Sequence, residues 1–513
     1  MLFILAALLW PQAGLRAGSL DLDPILLDPG FNGGAMRYDR FGGNNGTLRN
    51  SGGQRVLHLD DGSYIVAALV DAFGAETGTI TGVRNIGLVH FSASGQKIAW
   101  PNVSSSYTDA SHNYIVVPNR LEAAYLAIRD IKVFGSRIYV LADHAGDVHN
   151  TNVRVLAFGL DGSYHGVVAL ISDEVERGVG MVFVARDEGA DYLLLVTSHT
   201  GSTGFGTIRT ARYLIDPVDS SLALDTAYGN NGFLLRAVID CSNTTTQGIE
   251  GCSTMPVAAV AVYADAAGNP ATNPAIFIAG NYTQNRGAGS PVTARAFVMR
   301  TDVDGGFQYQ YGSPNLTGSY DGVASYDLPD AEAANWVQDL VVRATRTGYE
   351  ANVLHGVHRS CGDGFNVAYI APTGLTIGKA SSVPMGGATT SPCVAQTMVT
   401  TAATRMILDG NRLLIVGTQS DYFMAVIPER FGWIAVVDWP TGYWTEMRAY
   451  QAHIGGDVAD SSFLDIIAGS GGRYFAVGNA SDPGNNHRDE LVVTGVRADR
   501  IFGGSFGYTR FDD

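Results

Sequence analysis

Seven times along this chain a short apolar strand, a polar loop, a second apolar strand and a glycine-marked turn recur in the same order. Residues 137–162 (RIYVLADHAGDVHNTNVRVLAFGLDG) show the unit most clearly. The pairs 275–280 with 296–305, 413–417 with 433–442, and 473–478 with 491–498 repeat it. Weaker copies lie at 64–68 with 86–95, 192–197 with 211–216, and 352–356 with 367–374. A unit of this length cannot bury its own apolar face, so copies must stack on one another. The spacing from Tyr64 to Tyr474 gives about 68 residues per unit. The repeat therefore overrides the multi-domain expectation that a 513-residue chain would otherwise carry.

Each unit supplies four strands. In the first, residues 55–59 read as an inner strand, Asp61-Gly62 as a tight turn, 64–70 as the second strand and 86–92 as the third. Asp-Gly pairs suit two-residue hairpins because the central positions need positive φ. Later inner strands are expected at 127–134, 181–185, 257–263, 337–342, 404–408 and 463–468. Gly is abundant at 63 residues and no long helical period appears, which points to an all-β chain. Radial repetition of four-stranded antiparallel sheets leaves only short edges, so the expected fold is a β-propeller of seven blades.

The segments LDPGFNGG (27–34) and LALDTAYGNNG (222–232), with the strand–DG–strand units, resemble the delta-60 repeats of secreted bacterial β-propeller proteins. The resemblance spans most of the chain and implies a propeller; it implies almost nothing about activity. Residues 31–41 also resemble the last residues of the chain, 502–512, so one terminus is surplus to seven complete blades. The organisation expected is a signal peptide at 1–19, an N-terminal strand segment at 20–50 and the propeller at 51–513. The N-terminal segment either latches its own ring or is donated to a neighbouring molecule.

Residues 1–19 combine an apolar run with small residues near Ala17–Ser19, as a secretory signal does. The apolar part is too short to span a bilayer, and no later stretch qualifies. An extracellular, cell-surface or periplasmic location suits the four cysteines, with Cys241–Cys252 and Cys361–Cys393 as candidate disulfides. Four cysteines allow three pairings, and sequence alone does not choose among them. The net charge of −16 argues against nucleic acid and anionic membranes as partners.

The loops between second and third strands share one face with the blade-to-blade connections. That face collects His144, Asp147 and His149 from blade two, His199 from blade three, and His355, His358 and Arg359 from blade five. Imidazole and carboxylate in DHAGDVH (143–149) suit a divalent metal, although a solvated loop needs none. HGVH at 355–358 has metal spacing only on a helix, and on a strand i and i+3 point to opposite sides. The segment 503–507 (GGSFG) matches a nucleophile elbow without the strand-to-helix turn that motif requires. Trp433, Trp439, Tyr443 and Trp444 suit either an aromatic platform or packing between blades. No P-loop or dinucleotide fingerprint occurs, so no organic cofactor is expected.

Three readings follow. The first is a non-enzymatic binding or structural module at the bacterial cell surface, holding a glycan or protein partner on its loop-rich face. The second is a hydrolase or lyase with a His/Asp site at the channel mouth. The third is a self-assembling filament or layer subunit joined through the surplus strand.

Overall fold

The computed structural model describes residues 27–497 with breaks, the longer of them at 43–47, 72–83, 118–123, 239–251, 265–269, 285–292, 307–321, 328–333, 382–398, 422–428, 439–443 and 483–487. It is an all-β ring of seven four-stranded antiparallel blades. Blade 1 is Ser51–His58, Tyr64–Asp71, Arg84–Phe91 and Tyr114–Val116; blade 2 is Tyr125–Phe134, Arg137–Ala145, Thr151–Gly159 and Tyr164–Ile171. Blade 3 has Val175–Val184, Tyr192–Thr200 and Gly206–Ile215, with its outer position shared by Leu222–Leu224 and Phe233–Arg236. Blade 4 is Cys252–Ala264, Pro270–Gln284, Thr293–Thr301 and Val323–Asp327; blade 5 is Ala334–Thr345, Gly348–Arg359, Gly362–Ile370 and Thr376–Ser381. Blade 6 is Val399–Asp409, Arg412–Asp421, Glu429–Asp438 and Trp444–Tyr450. Blade 7 takes three strands from the end of the described chain, Asp457–Ala468, Arg473–Asp482 and Arg488–Arg497. Its fourth is Arg37–Asp39, paired antiparallel with Arg488–Arg497 in the register Arg37 to Val493. The first strands touch in a closed cycle, so they line the axis.

The second strands read as unbroken apolar runs because both of their faces are buried. In blade 1, Ile65, Ala67 and Leu69 pack with Ile128, Ile138 and Val140 of blade 2. The alternate residues Tyr64, Val66 and Val70 pack with Phe475, Val477 and Leu491 of blade 7. The same division recurs around the ring and gives seven separate cores, one per blade-to-blade seam. The N-terminal segment enters two of them: Met36 packs between blades 6 and 7, and Phe31 and Phe41 enter the closing seam, where Phe31 lies 5.9 Å from the Phe475 ring.

The two delta-60-like stretches occupy equivalent places. Leu27 bridges Val496 and Asp28 N–H donates to Gly495 O, as Leu224 pairs Tyr213 and Asp225 N–H donates to Arg212 O. Nine residues after each Asp the two stretches hold equivalent ladder positions, Arg37 opposite Val493 and Leu234 opposite Thr210. Each Asp is held by arginine: Asp28 by Arg473 (2.9 Å) and Arg497 (2.8 Å), Asp225 by Arg212 (2.7 Å). One turn sequence thus completes blades 3 and 7.

The inner strands extend further toward their N-terminal ends than the apolar pattern implies: the third begins at Val175 rather than 181, and the seventh at Asp457 rather than 463. A bulge explains the difference. Every inner strand slips by one residue at the same height, between Gly53 and Arg55, Ile128 and Asp130, Gly178 and Gly180, Pro256 and Ala258, Val337 and Asp339, Ala403 and Arg405, and Phe463 and Asp465. The extra residue breaks the two-residue alternation, so the stretch before it does not read as strand. The bulge also pushes a carbonyl onto the second strand. A Cβ at Gly478, Gly417 or Gly280 would lie 1.8, 2.0 or 2.2 Å from the oxygen of Ser462, Ala402 or Met255. The glycine that ends AIFIAG, LLIVG and RYFAVG is set by that crowding.

Two outcomes test this account. Gly478→Ala is expected to cost more than about 2 kcal/mol, read as a lower urea midpoint, and an unchanged midpoint would remove the crowding argument. A chain starting at residue 42 leaves Phe475 and Leu491 uncovered in the closing seam. It is expected to lose a single cooperative melt and to become protease-sensitive in blade 7.

Candidate functional site

Strand geometry first decides where the sequence candidates lie. Asp143 and His144 belong to the second strand of blade 2 rather than to a loop, His199 to that of blade 3, and His355, His358 and Arg359 to that of blade 5. Asp147 and His149 lie outside the described residues, as do Cys241, Cys361, Cys393, Trp439, Tyr443 and the segment 503–507. Cys252 opens the inner strand of blade 4. Trp433 is a core residue, fully buried and stacked on Phe365 at 4.9 Å.

Three of the candidate histidines, His144, His199 and His355, have described side chains, each engaged within its own surroundings. His144 is buried and meets the Tyr125 ring edge-on at 5.0 Å. His355 has no exposed surface and its Nε2 lies 2.8 Å from the Tyr326 hydroxyl, which comes from the outer strand of blade 4. It stands at the bulge-facing position that is glycine in blades 4, 6 and 7. His199 Nδ1 is 2.6 Å from Glu176 Oε1. Among the described residues no three His, Cys, Asp or Glu side chains come together as a metal set.

Glu176 is the centre of a buried polar cluster on this face. It is fully buried, accepts a hydrogen bond from the Thr197 hydroxyl at 2.7 Å, and pairs with Arg209 at 2.6 Å as well as with His199. Burial pushes its carboxyl up from the ordinary 4.5, against the pull of Thr197, Arg209 and His199. Its signal in the sequence is slight, because a Glu at the start of an inner strand looks like a solvated end.

A second set surrounds the axis just past the bulges, where the seven inner strands carry Arg55, Asp130, Gly180, Ala258, Asp339, Arg405 and Asp465. The three aspartates cross the seams. Asp465 accepts the Val56 N–H of the next blade at 2.9 Å, Asp130 that of Met181 at 3.0 Å, and Asp339 that of Met406 at 2.8 Å. Arg405 spans Asp339 (2.8 Å) and Asp465 (3.5 Å). Burial opposes its charge, yet the carboxylates hold its pKa above the usual arginine value. Arg55 instead donates to the carbonyls of Arg129 (2.8 Å) and Gln54 (2.6 Å). Burial, and then the Arg405 charge, bring its pKa down to about 10. One register nearer the face, Asp143 binds Arg129 at 2.7 Å and accepts the Gly178 N–H of blade 3 at 2.7 Å. This collar is a brace and a fixed pattern of charge together.

The chain resembles solved β-propellers. Similar structures include the periplasmic gluconolactonase PpgL of Pseudomonas aeruginosa, 12% identical over 88% of this chain and 96% of that one, with a TM-score of 0.39. Sqt1 of Saccharomyces cerevisiae is 10% identical over 89% and 97%, TM-score 0.38. The endo-arabinase of Bacteroides thetaiotaomicron is 9% identical over 66% and 95%, TM-score 0.29. At these scores the likenesses carry no argument about chemistry. No family model matches the chain, and no curated protein matches it. Among the described residues no helix is long and apolar enough to cross a membrane.

Above the collar, the starts of the inner strands expose apolar surface beside charge. Leu126 is 54% exposed and Met255 42%, Trp336 is half-buried and Arg177 exposed. Met255, Arg177 and Trp336 share one register, each opposite the residue that follows the bulge-facing position of the second strand. The mouth therefore offers an aromatic ring, flexible apolar side chains and a cation over a rigid polar floor, which is the make-up of a recognition surface.

The Glu176 cluster gives a pH test. Its carboxyl has a higher pKa folded than unfolded, so the folded state binds the extra proton and stability falls as pH rises from about 4.5 through the folded value. Urea unfolding of the wild type and Glu176→Gln from pH 4 to 8 is expected to show that decline weakened in the variant. Parallel curves would remove the assignment. Glu176→Ala, which takes the acceptor from Arg209, Thr197 and His199, is expected to cost about 3 kcal/mol.

Proposed function

We propose that this chain is an exported, non-enzymatic binding propeller of the bacterial cell surface that holds a glycan or protein partner at the channel mouth on its loop-rich face. The observation that carries the reading is the register of Arg177, Met255 and Trp336 above a collar whose carboxylates are tied to neighbouring blades. Side chains presented from braced strands lose little freedom on binding, so affinity is not spent on ordering the site. The apolar run at 1–19 and the delta-60 resemblance support export, and oxidised cysteines at 241, 252, 361 and 393 belong to the same proposal.

A hydrolase or lyase is the second reading, favoured by one contact. Glu176 against His199 Nδ1 has the form of a carboxylate that orients a general-base imidazole. Burial of both groups in a cluster with Arg209 favours a structural role for the pair.

Labelled mature protein on a glycan array separates the two, with Arg177→Ala/Met255→Ala and His199→Gln as companions. Retention of one glycan class, lost in the double variant and kept by His199→Gln, is the expected result. Retention that survives the double variant would overturn the mouth as the site. Turnover of a retained glycan that disappears in His199→Gln would put the enzyme reading first.

A further inference from the structure

The outer strand of each blade is where a propeller can still pair with another chain, because an edge strand presents backbone N–H and C=O groups outward. Among the described residues six of the seven outer strands are guarded. Tyr114–Val116 of blade 1 is three residues long and buried, and blade 7 ends on the charged Arg37–Asp39. Blade 3 splits its outer place between two short strands, the second ending in Arg236. The outer strands of blades 4 and 5 carry Asp327 and Lys379, and that of blade 6 carries Glu446 and Arg448. Tyr164–Ile171 of blade 2 differs: it is the longest of them at eight residues and has no charged side chain.

Exposed apolar surface lies on the same flank of the ring. Six of the ten large hydrophobic side chains exposed among the described residues belong to the third and fourth strands of blades 2 and 3 or to the turns between them: Leu160, Val167, Leu170, Leu214, Val218 and Leu235. The other four belong to inner strands. Val167 (38% exposed) and Leu170 (49%) come from the uncharged strand itself, and apolar side chains at an open edge mark an interface. With a net charge of −16 two copies of this chain repel each other, and least where an edge carries no charge. Bulges at His165 and Val168 raise the local twist of the strand, which a flat strand would not follow but an identical strand shares. The N-terminal strand is not available to a neighbour, because it is consumed in its own ring. We infer that two copies of this chain pair through Tyr164–Ile171, antiparallel about a two-fold axis, with Val167 and Leu170 of both copies gathered near the axis. Such a dimer covers both edges at once and closes, so it does not grow into a filament. The interface is separate from the channel mouth and does not rest on the function proposed there.

Sedimentation velocity on the purified full-length protein at micromolar concentration tests this without any ligand. A species of twice the chain mass is expected, with its Kd raised at least about tenfold in Val167→Lys/Leu170→Lys, where like charges would meet across the axis. Arg177→Ala/Met255→Ala is expected to dimerise as the wild type does, and so is Phe506→Asp/Tyr508→Asp, in the stretch that resembles the closing segment. Backbone amides of residues 164–171 are expected to exchange more slowly in the dimer than after dilution to monomer. Where the lysine variant shifts the melting curve, Leu170→Gln is read in its place, and amide exchange in the wild type needs no variant. A monomer at every concentration, a dimer unchanged by the lysines, one lost only in Phe506→Asp/Tyr508→Asp, or one that leaves the 164–171 amides unprotected overturns the interface.

Discussion

A ring of sheets is stable only if its last seam is as well filled as the others, and here that seam depends on a short segment from the other end of the described chain. Arg37–Asp39 supplies the outer strand of blade 7. Phe31 comes with it and meets both Tyr64 of blade 1 and Phe475 of blade 7. Asp28, fully buried, is held by two arginines of blade 7, so the entering turn is anchored by charge before the ladder begins. The contacts to blade 7 join residues more than four hundred positions apart. They can form only when the whole ring is present, which makes closure a late and non-local step.

The bulge is the second constraint, and it links fold to site. One extra residue in each inner strand turns the next side chain toward its neighbours near the axis, and in five of seven blades that residue is charged. In blades 3 and 4 the place is taken by Gly180 and Ala258; a Cβ on Gly180 would come within 3.2 Å of the Ala259 side chain, so those two inner strands approach closely. The collar is thus one-sided. Its aspartates satisfy backbone N–H groups that the bulges free, which explains why charge is tolerated in a crowded interior.

Much of this architecture was legible in the sequence, because second strands buried on both faces announce themselves as apolar runs. The number of blades and the kinship of residues 27–34 with 222–232 follow from pattern alone. The inner-strand starts were hidden, since the bulge breaks alternation where Glu176, Arg177 and Asp457 lie. Sequence also leaves open which terminus completes the ring, as both carry similar motifs; the ladder to Arg488–Arg497 assigns the place to Arg37–Asp39.

The candidate site was less legible, for a related reason. A histidine near a strand end reads as a ligand only on the assumption that the strand has already stopped. His144 and His355 lie within continuing strands, where a neighbouring tyrosine meets the ring and the imidazole serves packing. Polar type alone does not distinguish a group that is consumed by the scaffold from one that is offered to a ligand. Register does. Arg177, Met255 and Trp336 are unrelated in chemistry and scattered over 160 residues, so no motif connects them. They stand at one height because the same bulge, repeated in every blade, sets the same position of each inner strand at the same level around the axis.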